Sequence, residues 1–295
     1  MRVALLRLRY LPLAAFLGLS LLWGSGWLLR ASTPAQPPLR SLAIQYAIAS
    51  VSLLPWALRR RLWRRPLRSI ANAVIVGIGI LCLPQLLIFA SGGKLSPTIT
   101  IASLATVAVF LAIAGRLAIT PAVVGLAGVL FLFDRGLDIS IRQLPWLLLP
   151  LTAAGALAWA LGAAERHMQR LSIVEALFGQ CMASAVLLFL ASEILEHEAV
   201  SWSVTTATGF AVSAVLATVC GYLLFYWLFG KFGAGRVSTL QWTQPLVATL
   251  ESVLLTGGHP DWTLITGAIL IVLAVLWVLS NREDDGGVIF EITRS

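Results

Sequence analysis

Few side chains inside the apolar stretches of this chain can do chemistry, and most of them share one segment near the carboxyl end. Gln241, Gln244, Ala248, Glu251 and Ser252 follow one another there at steps of one to four residues, mostly three or four. On a helix this spacing forms a single stripe. Because polar groups facing lipid are costly, we predict that the stripe faces the interior of a helix bundle, where amide and carboxylate groups can bind a polar solute.

Glu251 is the only carboxylate well inside any of the apolar stretches. Keeping such a group ionised near the centre of a bilayer costs roughly 2.5 to 3.5 kcal/mol, so it is either protonated or faces a wet cavity. One hypothesis is that Glu251 binds a cationic or amino-bearing substrate, or exchanges a proton. The alternative is that it lies close enough to the outer surface to be solvated and pairs locally.

Several neutral residues are weaker candidates for the same cavity, because each can donate or accept a hydrogen bond, or stack, inside an apolar stretch. They are Gln45, Tyr46, Gln85, Trp159 and Gln180. Gln85 follows Pro84 and could instead satisfy carbonyls that the proline frees, and helix packing is an alternative for the others. Tyr222 and Tyr226 are candidates for a gate or for an aromatic belt at the membrane interface.

The elements that must position these residues are membrane-spanning helices. Hydrophobic residues make up 59% of the 295 residues and charged residues 12%, a balance that no soluble fold of this size could bury. Windows of about 20 residues place ten spans at residues 10–29, 39–58, 70–90, 97–114, 117–133, 145–164, 173–192, 204–229, 237–255 and 263–279. The sequence therefore predicts an all-α, polytopic membrane protein.

Local signals at the starts of several spans support this segmentation. Ser96 and Thr120 each precede a proline and are predicted to cap a helix. Ser172 and Glu175 have the spacing of a capping box, and Asp261 is predicted to cap the last span.

The orientation follows from the loops that carry the positive charges. With the amino terminus in the cytoplasm, sixteen of the 21 Lys and Arg residues fall on the cytoplasmic side, as the positive-inside rule requires. These are Arg2, Arg7, Arg9, Arg59, Arg60, Arg61, Arg64, Arg65, Arg68, Arg116, Arg166, Arg170, Lys231, Arg236, Arg282 and Arg294. An even number of spans then also places the carboxyl terminus in the cytoplasm.

The loop after the second span is the most basic part of the chain. Its arginines Arg59, Arg60, Arg61, Arg64 and Arg65 are predicted to contact anionic lipid head groups, because topology and the membrane surface already account for such a run. Nucleic-acid binding is therefore not expected.

An internal repeat divides the chain into halves. A shift of 142 residues superposes residues 93–96 on 235–238 and Gly125 on Gly267, and a shift of 136 superposes residues 23–26 on 159–162. We predict a first half at residues 1–133, a connecting loop at 134–144, a second half at 145–280 and a cytoplasmic tail at 281–295. Five spans per half is an odd number, so the halves would be inverted relative to each other, an architecture of secondary transporters.

The chain resembles the EamA-type, ten-helix branch of the drug/metabolite transporter superfamily. The resemblance is carried by Trp23-Gly24-Ser25 with Arg30, by Gly221-Tyr222 through Gly235-Arg236, and by the run at residues 240–245. It implies a carrier of the bacterial inner membrane, often an exporter of amino acids or other metabolites that works by alternating access, and it adds Trp23 to the binding candidates. The chain departs from the family at Gln45, where many members have Arg, and at Gly115-Arg116, where many have Gly-Glu.

The predicted function is therefore a secondary transporter, exporter or exchanger, for a small metabolite, with a homodimer left open. No cofactor or metal is implied. The alternatives are a non-transporting scaffold and a polytopic membrane enzyme. An enzyme is disfavoured because no His and no Asp lies within a predicted span to activate a nucleophile or bind a metal.

Overall fold

The computed structural model describes residues 2–26, 28, 35–60, 62–137, 139–167, 171–257 and 259–280, and regular structure within them is helical. Ten helical segments follow one another in these ranges. They are α1 (Arg2–Gly24), α2 (Pro38–Arg59), α3 (Leu67–Ala90), α4 (Pro97–Ile113), α5 (Ile119–Leu132), α6 (Leu144–His167), α7 (Ile173–Leu195), α8 (Val204–Val237), α9 (Leu240–Thr256) and α10 (Trp262–Ser280).

Six of these helices, α2, α3, α6, α7, α8 and α10, are long and apolar enough to cross a membrane. The apolar parts of α1, α4 and α5 are shorter, at Leu11–Gly24, Pro97–Ile113 and Ile119–Leu132, and α9 has 17 residues. The all-α membrane class is confirmed. That the four shorter helices also cross the bilayer stays a prediction.

The predicted helix starts are confirmed in three of four cases. The Ser96 hydroxyl accepts from the N–H of Ile99 at 3.2 Å, the Ser172 and Glu175 capping box is formed, and Asp261 accepts from the N–H of Leu264 at 2.9 Å. The prediction for Thr120 was wrong, because α5 begins at Ile119, after Ala118, and not at Pro121 two residues later. Pro121 then lies in the first turn, where its missing N–H costs no helical hydrogen bond.

α2 and α7 pack against each other along their length in opposite directions. At one end the Glu196 carboxylate caps α2, accepting from the N–H groups of Leu39 at 2.7 Å and Arg40 at 2.9 Å. Arg40 also pairs with Glu193 at 2.5 Å. At the other end Arg65 donates to both oxygens of Glu175, at 2.9 and 3.2 Å.

The Arg65 contact changes the expected use of the basic loop. Arg65 was predicted to contact lipid head groups, but its guanidinium is bound to Glu175 within the protein. Arg59, Arg60 and Arg64 are exposed, and their contact with lipid stays a prediction, while Arg61 lies outside the described residues.

α5 and α10 form a second antiparallel pair. Gly128 packs against Ile271 and Gly267, and Gly267 packs against the backbone of Leu132. Small residues at these positions let the two backbones approach closely, as in other membrane helix pairs.

The remaining helices form two groups. α6 packs on α3 and α4, and α1 packs on α8 and α9. We call these the α3/α4/α6 group and the α1/α8/α9 group. Each half of the chain thus contributes its first helix to the group formed by the other half.

α3 and α8 each contain a π-helical segment, at Ile78–Cys82 and Ser213–Cys220. Such segments break the regular i→i−4 pattern of hydrogen bonds and occur often at functional sites. They have no evident signal in the sequence. The α8 segment packs on α2, and the α3 segment packs on α6 and α7.

Candidate functional site

The π segments receive polar side chains from two neighbouring positions of α2. Gln45 donates from Nε2 to the hydroxyl of Thr218 at 2.7 Å, and the same nitrogen lies 3.5 Å from the carbonyl of Ser213, both in the α8 segment. The Tyr46 hydroxyl lies 3.5 Å from the carbonyl of Leu81, in the α3 segment. Residues 45 and 46 therefore link α2 to both irregular helices.

Trp23 approaches the α8 segment from α1. Its indole N–H donates to the carbonyl of Ala217 at 2.9 Å, and Gly221 leaves room for the ring. The ring centroid lies 5.0 Å from that of Tyr222 and 5.6 Å from that of Phe225, separations typical of interacting aromatic pairs.

Further along α8, Tyr226 meets α7. The Tyr226 hydroxyl donates to Oε1 of Gln180 at 2.7 Å, and both side chains are fully buried. Tyr222 and Tyr226 are 6.5 Å apart between ring centroids. Six predicted site residues thus lie on α8 or form a hydrogen bond with α8 or with the π segment of α3. They are Trp23, Gln45, Tyr46, Gln180, Tyr222 and Tyr226. We call this set the seam cluster.

Glu251 and the α9 stripe lie against α1. The Ser25 hydroxyl donates to Oε1 of Glu251, and one turn away Gly24 packs against Val247 and the backbone of Gln244. Nearer the start of α9, the Ser20 and Thr243 hydroxyls are 2.8 Å apart. Gln241, Gln244 and Glu251 are half-buried, so part of the stripe faces the neighbouring helix, as a bundle-facing stripe would.

Gln85 and Trp159 have less defined surroundings. Gln85 is half-buried on α3, past the π segment. Trp159 is 55% exposed, and its ring lies 3.7 Å from the position that a Cβ atom would take at Gly79, in the π segment of α3. Their part in a binding site stays a prediction.

Sequence reasoning missed two partners of the candidate residues, Thr218 and Ser25. A hydroxyl inside a span is a weak signal, because most such groups bond to a carbonyl of their own helix. Thr218 is distinguished only by the π segment that aims it at Gln45.

The seam cluster offers amide, phenol and indole groups and no carboxylate or basic side chain. Neutral groups of this kind can replace the hydration of a small polar solute without the cost of burying an unpaired charge. They do not include a base that could activate a nucleophile.

The chain resembles known proteins both in sequence and in fold. Residues 144–280 match the model of the EamA-like transporter family. The chain is 24% identical over 292 residues to the uncharacterized inner membrane transporter YedA of Escherichia coli strain K12, covering 92% of both chains, and the same figures hold for YedA of E. coli O157:H7. A solved crystal structure superposes with a TM-score of 0.77 at 19% identity, covering 93% of this chain and 100% of the other, a likeness of fold alone.

Proposed function

We propose that this chain, whose residues 144–280 match the model of the EamA-like transporter family, as the resemblance in its sequence implies, is a secondary carrier. It moves a small metabolite, such as an amino acid or a related compound, across the bacterial inner membrane by alternating access, as an exporter or exchanger. Its ten helices form two inverted halves, residues 1–133 and 145–280.

The pattern of helix packing supports the inverted repeat. Two such halves would relate each helix to the helix five places along the chain. The contact of α3 with α6 then corresponds to that of α8 with α1, and the contact of α4 with α6 to that of α9 with α1. All four contacts occur. In two pairs, α2 with α7 and α5 with α10, the helices that pack together also correspond to each other, and both pairs are antiparallel. When the two helices of a pair correspond to each other and run in opposite directions, the twofold axis that relates them is perpendicular to the helices. This is the geometry of inverted repeats.

The π segments also repeat. A shift of 136 carries Ile78–Cys82 onto residues 214–218, inside the segment Ser213–Cys220. The same shift carries Trp23 onto Trp159. Trp23 donates to the carbonyl of Ala217 in the α8 segment, and the Trp159 ring lies 3.7 Å from where a Cβ atom at Gly79 would be, in the α3 segment. The two halves therefore share local irregularities as well as helix order.

The observation that carries the proposal is the position of the seam cluster. Trp23 of α1 and Gln45 of α2, in the first half of the chain, donate to the π segment of α8, in the second half, and in carriers built from inverted repeats the substrate binds between the repeats. We propose that these residues line a chamber, with Tyr222 and Tyr226 as its gate on the side where α8 ends.

Glu251 has two proposed roles. It binds an amino group or exchanges a proton during transport, or it packs locally with Ser25. The Ser25 hydrogen bond supports a defined position for the carboxylate at the α1/α9 contact and is compatible with both roles.

Flux of solute into or out of proteoliposomes tests the proposal. A metabolite mixture is offered to vesicles containing the purified protein, with and without a pH gradient, and uptake and release are analysed by mass spectrometry. A carrier gives saturable flux of one class of solute, and gradient dependence indicates proton coupling. A scaffold or a membrane enzyme gives no flux, and an enzyme converts the solute instead.

A pair of glutamine variants tests the chamber. We expect Gln45→Leu to reduce flux about tenfold, because one hydrogen bond of ordinary strength contributes roughly that factor. Gln143→Leu removes the same amide from the loop that contacts the carbonyl of Lys94 and should leave flux unchanged. Equal flux in Gln45→Leu and the parent protein would refute the proposed lining.

A further inference from the structure

Three separate parts of the chain meet at the end of the bundle where α6 and α8 finish, which the charge distribution predicts to be cytoplasmic. The Glu165 carboxylate, on the last turns of α6, accepts from the backbone N–H of Ala234 at 2.6 Å through Oε1. Its other oxygen forms an ion pair with Arg116, in the connection between α4 and α5. One carboxylate thus joins the connection between α4 and α5 to the last turns of α8.

Three glycines make this arrangement possible. Gly233 has φ +75°, a conformation that side chains rarely adopt, and it turns the chain just before the N–H of Ala234. Gly235 allows the carbonyl of Arg116 to approach the chain closely, and Gly162 leaves room for the guanidinium of Arg116. The contact is therefore built from backbone geometry as well as from opposite charges.

The hydrogen bond of Glu165 to Ala234 crosses between the two groups of helices. Glu165 lies on α6 and Arg116 directly after α4, in the α3/α4/α6 group, whereas Ala234 lies near the end of α8, in the α1/α8/α9 group. On the same side α8 packs on α4 and α6.

These contacts hold the two groups of helices together at this end of the bundle. We propose that Arg116, Glu165 and the N–H of Ala234 form a latch that holds the cytoplasmic end of the carrier shut and must open once in each transport cycle. The proposal rests on the alternating-access function proposed above.

The composition of the latch suits reversible opening. The side chains of Arg116 and Glu165 are 23% and 19% exposed, so water reaches both and can replace their partners when the groups separate. A fully buried ion pair would resist separation, because each charge would be left without a partner.

Cysteine accessibility in lipid nanodiscs, where both faces are open to reagent, tests the latch directly. Cys82, Cys181 and Cys220 are replaced by Ala, and Ser238→Cys reports on the latch side, since Ser238 is buried one turn beyond Ala234. Ser252→Cys reports near the opposite end of α9. We expect Glu165→Ala to speed maleimide labelling at position 238 about tenfold and to slow it at position 252.

Two further variants keep the result interpretable. Glu165→Gln retains an acceptor for Ala234 but loses the charge, so its effect at position 238 should be smaller. Glu193→Ala removes the carboxylate of the Arg40 pair at the other end of the bundle and should leave labelling at position 238 unchanged. Size-exclusion profiles and melting temperatures establish that each variant is folded.

The outcomes separate the latch from the carrier. Faster labelling at position 238 with slower labelling at position 252 supports both. Faster labelling at 238 with no change at 252 supports the latch and contradicts alternating access. An unchanged rate at 238 in folded Glu165→Ala overturns the latch, whatever the protein transports.

Discussion

At the scale of single residues, Glu251 has the greatest capacity to change its chemistry during transport. Its carboxylate is half-buried and accepts a hydrogen bond from Ser25. Glu251→Gln keeps the size and a carbonyl acceptor but cannot carry a charge or release a proton. If Glu251 couples protons, we expect the variant to lose at least about tenfold of its gradient-driven flux while exchange without a gradient persists.

Glu193→Gln is the matched control for this measurement, because it neutralises an exposed glutamate near the same end of the bundle. It should leave both the flux and its response to pH unchanged. Glu251→Gln with the rate and pH response of the parent protein would reject the coupling role and leave the local pairing with Ser25 as the role of this side chain.

The candidate site residues could be predicted from the sequence more readily than the residues to which they form hydrogen bonds. The polar positions Gln45, Gln180 and Glu251 are conspicuous in apolar stretches, so they can be selected without a structure. Their partners, Tyr226 for Gln180 and Thr218 for Gln45, depend on how α7 and α2 rotate against α8. That rotation is set by packing over the whole bundle, which periodicity along one helix does not encode.

At the scale of elements, the close contact of α5 and α10 depends on glycine. A Cβ atom at Gly267 would lie 2.7 Å from the carbonyl oxygen of Gly128 and 2.7 Å from the amide nitrogen of Leu132. Backbone atoms cannot move aside as a side chain can, so the helices must separate. We expect Gly267→Ala to destabilise the protein by about 1 to 3 kcal/mol, measured as a lower melting temperature in detergent.

Gly18→Ala in α1 provides the comparison, because nothing lies within 4 Å of a Cβ atom at that position. Alanine favours the helix over glycine there, so the melting temperature should stay the same or rise slightly. Equal melting temperatures for Gly267→Ala and Gly18→Ala would contradict the close approach of α5 and α10.

Most helices could be predicted from hydrophobic stretches and caps, but their interruptions could not. The windows found all ten segments, since apolar length is a direct consequence of the bilayer. The π segments of α3 and α8 were missed because one additional residue per turn leaves composition unchanged. The helical turn that ends at Val237 was also missed, because the non-helical backbone of Gly233, with φ 75° and ψ 175°, separates it from the rest of α8.

At the scale of the whole molecule, the arginines indicate how the bundle lies in the membrane. The ends of α2 and α6 and the start of α7 carry Arg65, Glu165 and Glu175, and two of the ion pairs, Arg65 with Glu175 and Arg116 with Glu165, lie at that side. The Arg40 pair lies at the opposite end of α2. Positive charge is thus concentrated at one end, which the positive-inside rule assigns to the cytoplasm.

Reporter fusions test this orientation together with the inversion of the halves. A fluorescent protein fused after residue 280 should fluoresce and alkaline phosphatase there should be inactive, because both termini are predicted to be cytoplasmic. Alkaline phosphatase inserted in the loop 134–144 should be active, because five spans carry that loop to the outside. Activity at the carboxyl terminus would mean an odd number of spans. The halves could then not be related by a twofold axis in the membrane plane, and the alternating-access proposal would lose its structural basis.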